Sequence, residues 1–162
     1  TARIRYPELV ELGDNVIIDD FTYISTQLKV ESYVHISSGC KLIGGRDSRI
    51  TFGKFSTLSP NVVLAAGSDD YHSGIATPLI PPKYKANCTH GTIDIGNHCI
   101  VGANSVILPN VSLAHGSVLG AMSLLKKDTL PWTINYGIPS TQHGVRDKED
   151  ILKLEDEFHK DN

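Results

Sequence analysis

Aliphatic side chains recur every six residues along most of this chain. They stand at Leu12, Ile18, Ile24, Val30, Ile36 and Leu42, resume after "GGRDSR" with Phe52, Leu58 and Leu64, and return at Ile95, Val101, Ile107, Leu113, Leu119 and Leu125. Four positions after most of them comes a small or β-branched residue, such as Val34, Cys40, Ser56, Cys99, Ser105 or Ser117. A helix would set apolar residues at i, i+3, i+4 and i+7, and a half-buried strand would alternate. A six-residue period satisfies neither. It suits a short strand plus a corner, with the first and fifth residues inward and Gly or Asn taking the turn. Three such sides close a triangular coil, and coils stack at a strand spacing of about 4.8 Å. The fifteen hexads therefore predict an all-β fold, a parallel β-helix of about five coils. Cys40 and Cys99 fall at inward positions and are expected to be inert packing residues.

Two segments leave the pattern. Residues 65–92, "AAGSDDYHSGIATPLIPPKYKANCTHGT", lose the period and contain three prolines. A long structureless insertion within a compact domain is usually functional or disordered. At the end, "RDKEDILKLEDEFHKDN" spaces Ile151, Leu154 and Phe158 as an amphipathic helix does. The expected organisation is a β-helical domain over 1–146, with loop 65–92 inserted, and a helical tail over 147–162.

Composition narrows the function classes. A net charge of −3 gives no hint of a nucleic-acid or membrane surface, and no apolar run reaches the roughly 20 residues that span a bilayer. The opening "TARIRYPELV" lacks a signal-peptide layout, and three cysteines without framework spacing fit a reducing compartment. The expectation is a cytoplasmic protein with neither a nucleic-acid partner nor membrane insertion.

The segment "TIDIGNHCIVGANSVILPNVSLAHGSVLGAMSLLKKDTLPWTINYGIPS", residues 92–140, resembles the C-terminal part of the hexapeptide-repeat acyltransferases. That family includes galactoside and maltose O-acetyltransferases and enzymes that decorate surface polysaccharides. The resemblance implies a left-handed β-helix, a homotrimer and acetyl-CoA as acyl donor. It also implies a carbohydrate acceptor, with each site lying between neighbouring prisms. Small residues at coil edges let a pantetheine arm lie flat, which makes Ala103 and Ala121 floor positions. Lys126 and Lys127 would meet the phosphates as point charges and Arg146 as a fork, while the turn at Pro139 would border the adenine. Trp132 reads as a cap over the open end of the prism.

Acetyl transfer to a hydroxyl needs a base. In related sugar acetyltransferases this is a histidine in the loop or coil before the "IG-x-x-x-x-IG" run, and His72 in "SDDYHSG" stands at that place. Asp69 or Asp70 would orient its imidazole, much as an aspartate does in a hydrolase triad. Two bases remain open, His72 or Asp70 itself, with His90 behind them. Tyr71 and Tyr84 are candidates to line the acceptor pocket. No nucleophile-elbow motif is present, so direct transfer is expected. The expected activity is O-acetylation of a carbohydrate. The alternative is N-acetylation of a nucleotide-linked amino sugar, for which a neutral amine asks less of a base. Two further classes compete on the same scaffold. A zinc carbonic anhydrase needs three converging imidazoles, and the seven histidines lack the close five-residue pair which that enzyme type usually carries, so no metal is expected. A purely structural solenoid leaves the polar loop unexplained.

Overall fold

Backbone pairing follows the hexads. Ile93 pairs in parallel with Val111, Ile100 with Val118 and Val106 with Leu124, so partners lie 18 residues, or three hexads, apart. A computed structural model describes residues 1–161 of the chain as a left-handed β-helix of short parallel strands, followed by helix α1 (Lys148–Asp161). Asn162, the last residue of the expected tail, lies outside the described residues. One face is a seven-stranded sheet whose last two strands, Thr133–Gly137 and Ser140–Val145, pair antiparallel and close the stack. The prism runs past the about five coils of the hexads, because its first and last coils depart from the pattern.

Both interruptions leave the inward-facing positions in phase, although the first bulges the strand pair at Ser25–Gln27. Across "GGRDSR", Leu28 pairs with Ile50 and His35 with Thr57; across the long loop, Thr57 pairs with Ile100 and Val63 with Val106. Inserted residues leave at a corner and return to it, so no inward position changes face.

The core is one column of aliphatic side chains. Ile24, Ile36, Leu42, Leu58, Leu64, Val101, Ile107, Leu113 and Leu119 are wholly buried, as are Cys40 and Cys99. Burial pushes the thiol of Cys99 up to about 11, so it does not ionise at neutral pH. Serines at the fifth position bond backbone carbonyls instead of facing the core bare: Ser105 Oγ donates to Gly120 O at 2.8 Å and Ser117 Oγ to Leu130 O at 2.7 Å. Leu12 breaks the rule at 50% exposure. Its strand pairs only with the coil above, through Val30, and the open end of the prism leaves its other side uncovered.

One corner carries an unexpected feature. Tyr33, Phe55, His98 and Trp132 all adopt the left-handed backbone conformation, which costs an ordinary side chain about 1–2 kcal/mol each. Stacking offsets part of that cost. The rings of Tyr33 and Phe55 are parallel at 5.0 Å, and Phe55 stacks on His98 at 5.3 Å. Trp132 covers Gly116, whose missing side chain makes room for the indole. Helix α1 lies along this column. Phe158 meets Tyr33 and Phe55 edge-on, and His98 Nε2 bonds Glu155 Oε2 at 2.9 Å. Its first turn is capped by Asp147 Oδ1, which accepts from Asp150 N, and His159 and Lys160 suit the negative end of its dipole. His98 thus lies beneath the tail helix. Replacing Phe158 by Ala removes the ring that crosses two corner aromatics. The expected loss is about 1–2 kcal/mol, read as a melting temperature lower by roughly 3–6 °C in calorimetry.

Candidate active site

The loop that follows Val63–Ala65 is anchored by a short antiparallel pair, Gly67–Ser68 with Thr89–His90. Between these ends, Asp70 organises the chain. Its carboxylate is 9% exposed and accepts from the backbone N–H of His72 at 2.8 Å, of Ser73 at 3.1 Å and of Asn87 at 3.2 Å, and from the Ser73 hydroxyl at 2.9 Å. Those donors, with the His72 amide first, hold its carboxyl well below the usual carboxylate range. A carboxylate so stabilised as the anion is a poor proton acceptor. That counts against Asp70 as the base and in favour of a clamp on the loop, since one of its donors, Asn87, comes from 17 residues away.

His72 is exposed, and its ring lies 4.7 Å from that of Tyr71. Neither Asp69 nor Asp70 bonds its imidazole among the described residues; Asp70 holds its backbone amide instead. The expected carboxylate–imidazole pair is not formed in this chain. Asp69 points elsewhere, with Lys85 Nζ 3.7 Å and Cys88 Sγ 3.6 Å from its Oδ1.

A cavity of about 530 Å³ brings His72, Tyr71, Asp69 and Asp70 together with Pro109, Asn110 and Lys126 from the last coils. The structure thus places His72 and one of the two candidate phosphate lysines in one cleft. Lys127 is exposed beside it in sequence. Ala103 and Ala121 sit directly above one another, since Met122 N bonds Ala103 O at 2.9 Å across the coils. Pro139 follows a cis peptide bond in the closing hairpin. Arg146, expected at the phosphates, donates from Nη1 to the carbonyls of His98 and Gly116, the latter at 2.9 Å, and so ties the chain entering α1 to the aromatic corner. Tyr84 is half exposed under the Lys83 ammonium and lines neither this cavity nor the larger one beyond the loop.

That larger cavity, about 870 Å³, shares Gly67, Ser68 and Asp69 with the first. On its far side are Gly44 and Asp47 of the "GGRDSR" bulge, and Lys85, Cys88 and His90 complete it. Sequence reasoning missed Lys85, Asn87 and Asp47 as members of the site. Nothing in the hexad pattern marks them, because each belongs to an insertion. Among the described residues, no three His, Cys, Asp or Glu side chains converge as metal ligands, and no helix is long and apolar enough to cross a membrane.

No protein-family model matches the chain. A curated relative does: dTDP-4-amino-4,6-dideoxy-D-glucose acyltransferase of Escherichia coli is 34% identical over 154 residues, which span 92% of this chain and 78% of the relative. This chain belongs to the hexapeptide-repeat acyltransferases. Galactoside O-acetyltransferase of E. coli K12 is 27% identical over 83% of this acyltransferase and 68% of its own length. Among solved structures, a mutant of AntD, an N-acyltransferase from Bacillus cereus in complex with dTDP-4-amino-4,6-dideoxyglucose and coenzyme A, superposes with a TM-score of 0.93. It is 34% identical, covering 99% of this acyltransferase and 85% of AntD. The chain is an enzyme with acyltransferase chemistry, and its left-handed prism is the scaffold of that family.

Proposed function

We propose that this acyltransferase moves an acyl group from acyl-coenzyme A to the amino group of a nucleotide-linked amino sugar. The observation that carries the proposal is the 34% identity, over nearly the whole chain, to an acyltransferase acting on dTDP-4-amino-4,6-dideoxy-D-glucose. Site chemistry agrees. A sugar hydroxyl needs a strong, oriented base, and here neither aspartate orients His72, while Asp70 is locked as an anion. A neutral amine attacks without one. Its nitrogen bonds the thioester carbonyl carbon, a backbone N–H holds the oxyanion, and the C–S bond then breaks to release thiolate. The nitrogen's surplus proton passes to His72, the imidazole in the cleft, and finally to the thiolate. Transfer to a hydroxyl, as first expected, becomes the second choice.

In this reading the pantetheine lies on Ala103 and Ala121, and Lys126 and Lys127 meet the donor's phosphates. Pro139 borders the adenine, and Tyr71 flanks the reacting groups. Homotrimer formation is part of the proposal. In the later coils the outward positions on one face are Val63, Val106 and Leu124, above Lys41, and on a second Ile100, Val118 and Ile134, above His35 and Thr57, whereas the third presents Lys29, Thr51, Asp94 and Ser112. Two apolar faces beside one polar face suit a prism covered by copies of itself.

Free-thiol release from acetyl-CoA provides the test. With dTDP-4-amino-4,6-dideoxyglucose, kcat/KM should exceed that for galactosides or maltose about a hundredfold, and His72→Ala should lower kcat by only about tenfold with the amine. Preference for a hydroxyl acceptor, with a loss of ~10² or more in the same variant, would restore O-acetylation.

A further inference from the structure

Two cavities meet along the strip Gly67–Asp69, one on each side of the loop. A reaction between two bound substrates needs their reactive ends side by side, and the shared strip provides that junction. Each substrate of the proposed reaction also carries a nucleoside diphosphate at its other end. One lysine lies in the smaller cavity, Lys126, and one in the larger, Lys85.

Lys85 is the unusual one. Its side chain is only 19% exposed, and its nearest carboxylate, Asp69, is 3.7 Å away, beyond hydrogen-bond reach. Among the described residues no acceptor forms a hydrogen bond with its ammonium. Asp69 balances the charge, but at that distance the three donors of the ammonium stay open to a bound anion. Across the same cavity, Asp47 of the bulge is exposed and, among the described residues, makes neither an ion pair nor a hydrogen bond. At about 870 Å³ the cavity falls within the roughly 300–1,000 Å³ typical of small-molecule sites.

We infer that the larger cavity is the acceptor compartment, with Lys85 as the anchor for the acceptor's diphosphate. The inference rests on the nucleotide-sugar reading. Donor and acceptor then approach the strip from opposite sides, the donor past Lys126 along the last coils and the acceptor past Lys85. Asp47 faces the acceptor's far end, where a base imide or a sugar hydroxyl requires a hydrogen-bond acceptor. The bulge that interrupts the hexads thereby becomes part of substrate selection.

Titration calorimetry on the full chain, with dTDP and with coenzyme A separately, tests this without turnover. Lys85→Gln should weaken dTDP about tenfold or more and leave coenzyme A within about twofold, since a charge-assisted hydrogen bond is lost on one side only. Lys126→Gln should show the reverse, and Lys85→Arg should keep most of the dTDP affinity. Weaker coenzyme A in Lys85→Gln would overturn the assignment by putting the donor in the larger cavity. Unchanged affinity for both would overturn it too, as would a wild type that binds coenzyme A but no dTDP, UDP or GDP. Should Lys85→Gln lose its cooperative melt, Asp47→Asn takes its place: weaker dTDP supports the compartment and unchanged dTDP refutes it. A wild type that follows this pattern yet acylates no amino sugar would sink the proposed function and leave the compartment standing.

Discussion

Replacing Asp70 by alanine is expected to lower kcat/KM about a hundredfold or more, since displacing groups near the chemistry by an ångström costs about that much. The melting temperature of the solenoid should barely move. Four donors converge on this carboxylate, from His72, Ser73 and Asn87, and all of them belong to the insertion. Without it, three backbone amides lose their partner, and the strip between the cavities loses its shape. The coils above and below pair with one another directly, Thr57 with Ile100 and Val63 with Val106, and do not depend on the loop. Asn at this position keeps one acceptor oxygen and should fall between the two. The pH dependence has a definite sign. Asp70 titrates below its ordinary value of 3.8 in the folded loop, so its stabilisation is complete above that value and is lost only as pH falls through the lower folded one. Hydrogen exchange at the His72 and Asn87 amides should stay slow relative to the Asp70→Ala variant down to about pH 4. Fast exchange in the wild type at neutral pH would refute the clamp.

Gly102→Ala should damage stability most. An added Cβ there would fall well inside van der Waals contact with the backbone nitrogen and Cα of Ala121 on the next coil. Backbone in a stacked coil cannot swing aside as a side chain can. The coils must separate locally, stretching the bond from Gly102 N to Leu119 O, now 2.7 Å. A cost of about 3 kcal/mol follows for overpacking at such a place, or a melting temperature lower by roughly 6–12 °C. The same contact lies at the Ala103–Ala121 edge, so coenzyme A affinity should fall with it. A variant that melts like the wild type would show that this corner is looser than its geometry.

The repeat was legible because its physics is local. A six-residue period with small fifth positions leaves few folds, and the inward columns at Ile24, Ile36, Leu58, Val101 and Leu119 are buried as the hexads require. Leu12 failed because exposure at an open end depends on what lies beyond a coil, which a period cannot show. The corner at Tyr33, Phe55 and His98 was hidden for a different reason. Left-handed backbone is the province of Gly and Asn, and here ring stacking and a helix far further along the chain, which touches Tyr33, Phe55 and His98, outweigh that preference. At the loop, "SDDYHSG" announced polar chemistry but not its division of labour. Adjacent carboxylates look alike in sequence. What separates them is the fold around each: Asp70 gathers His72, Ser73 and the distant Asn87, whereas Asp69 lies against Lys85 and Cys88. Arg146 carries the same lesson, since the carbonyls it binds belong to His98 and Gly116, 48 and 30 residues earlier.

The inward phase that survives both insertions has a consequence for how this enzyme diversifies. Coils that pair across a gap hold their neighbours through nearest-layer contacts, so stability is a sum over layers that an outgrowth at a corner hardly enters. The bulge at Gly44–Arg49 and the long loop can therefore change length or sequence while the donor edge keeps its spacing. Under the proposed placement of the two substrates, acceptor choice and donor binding are separable traits, free to be altered one without the other. Exchanging both corner outgrowths between two such prisms should carry the acceptor preference along and leave the affinity for the acyl donor behind.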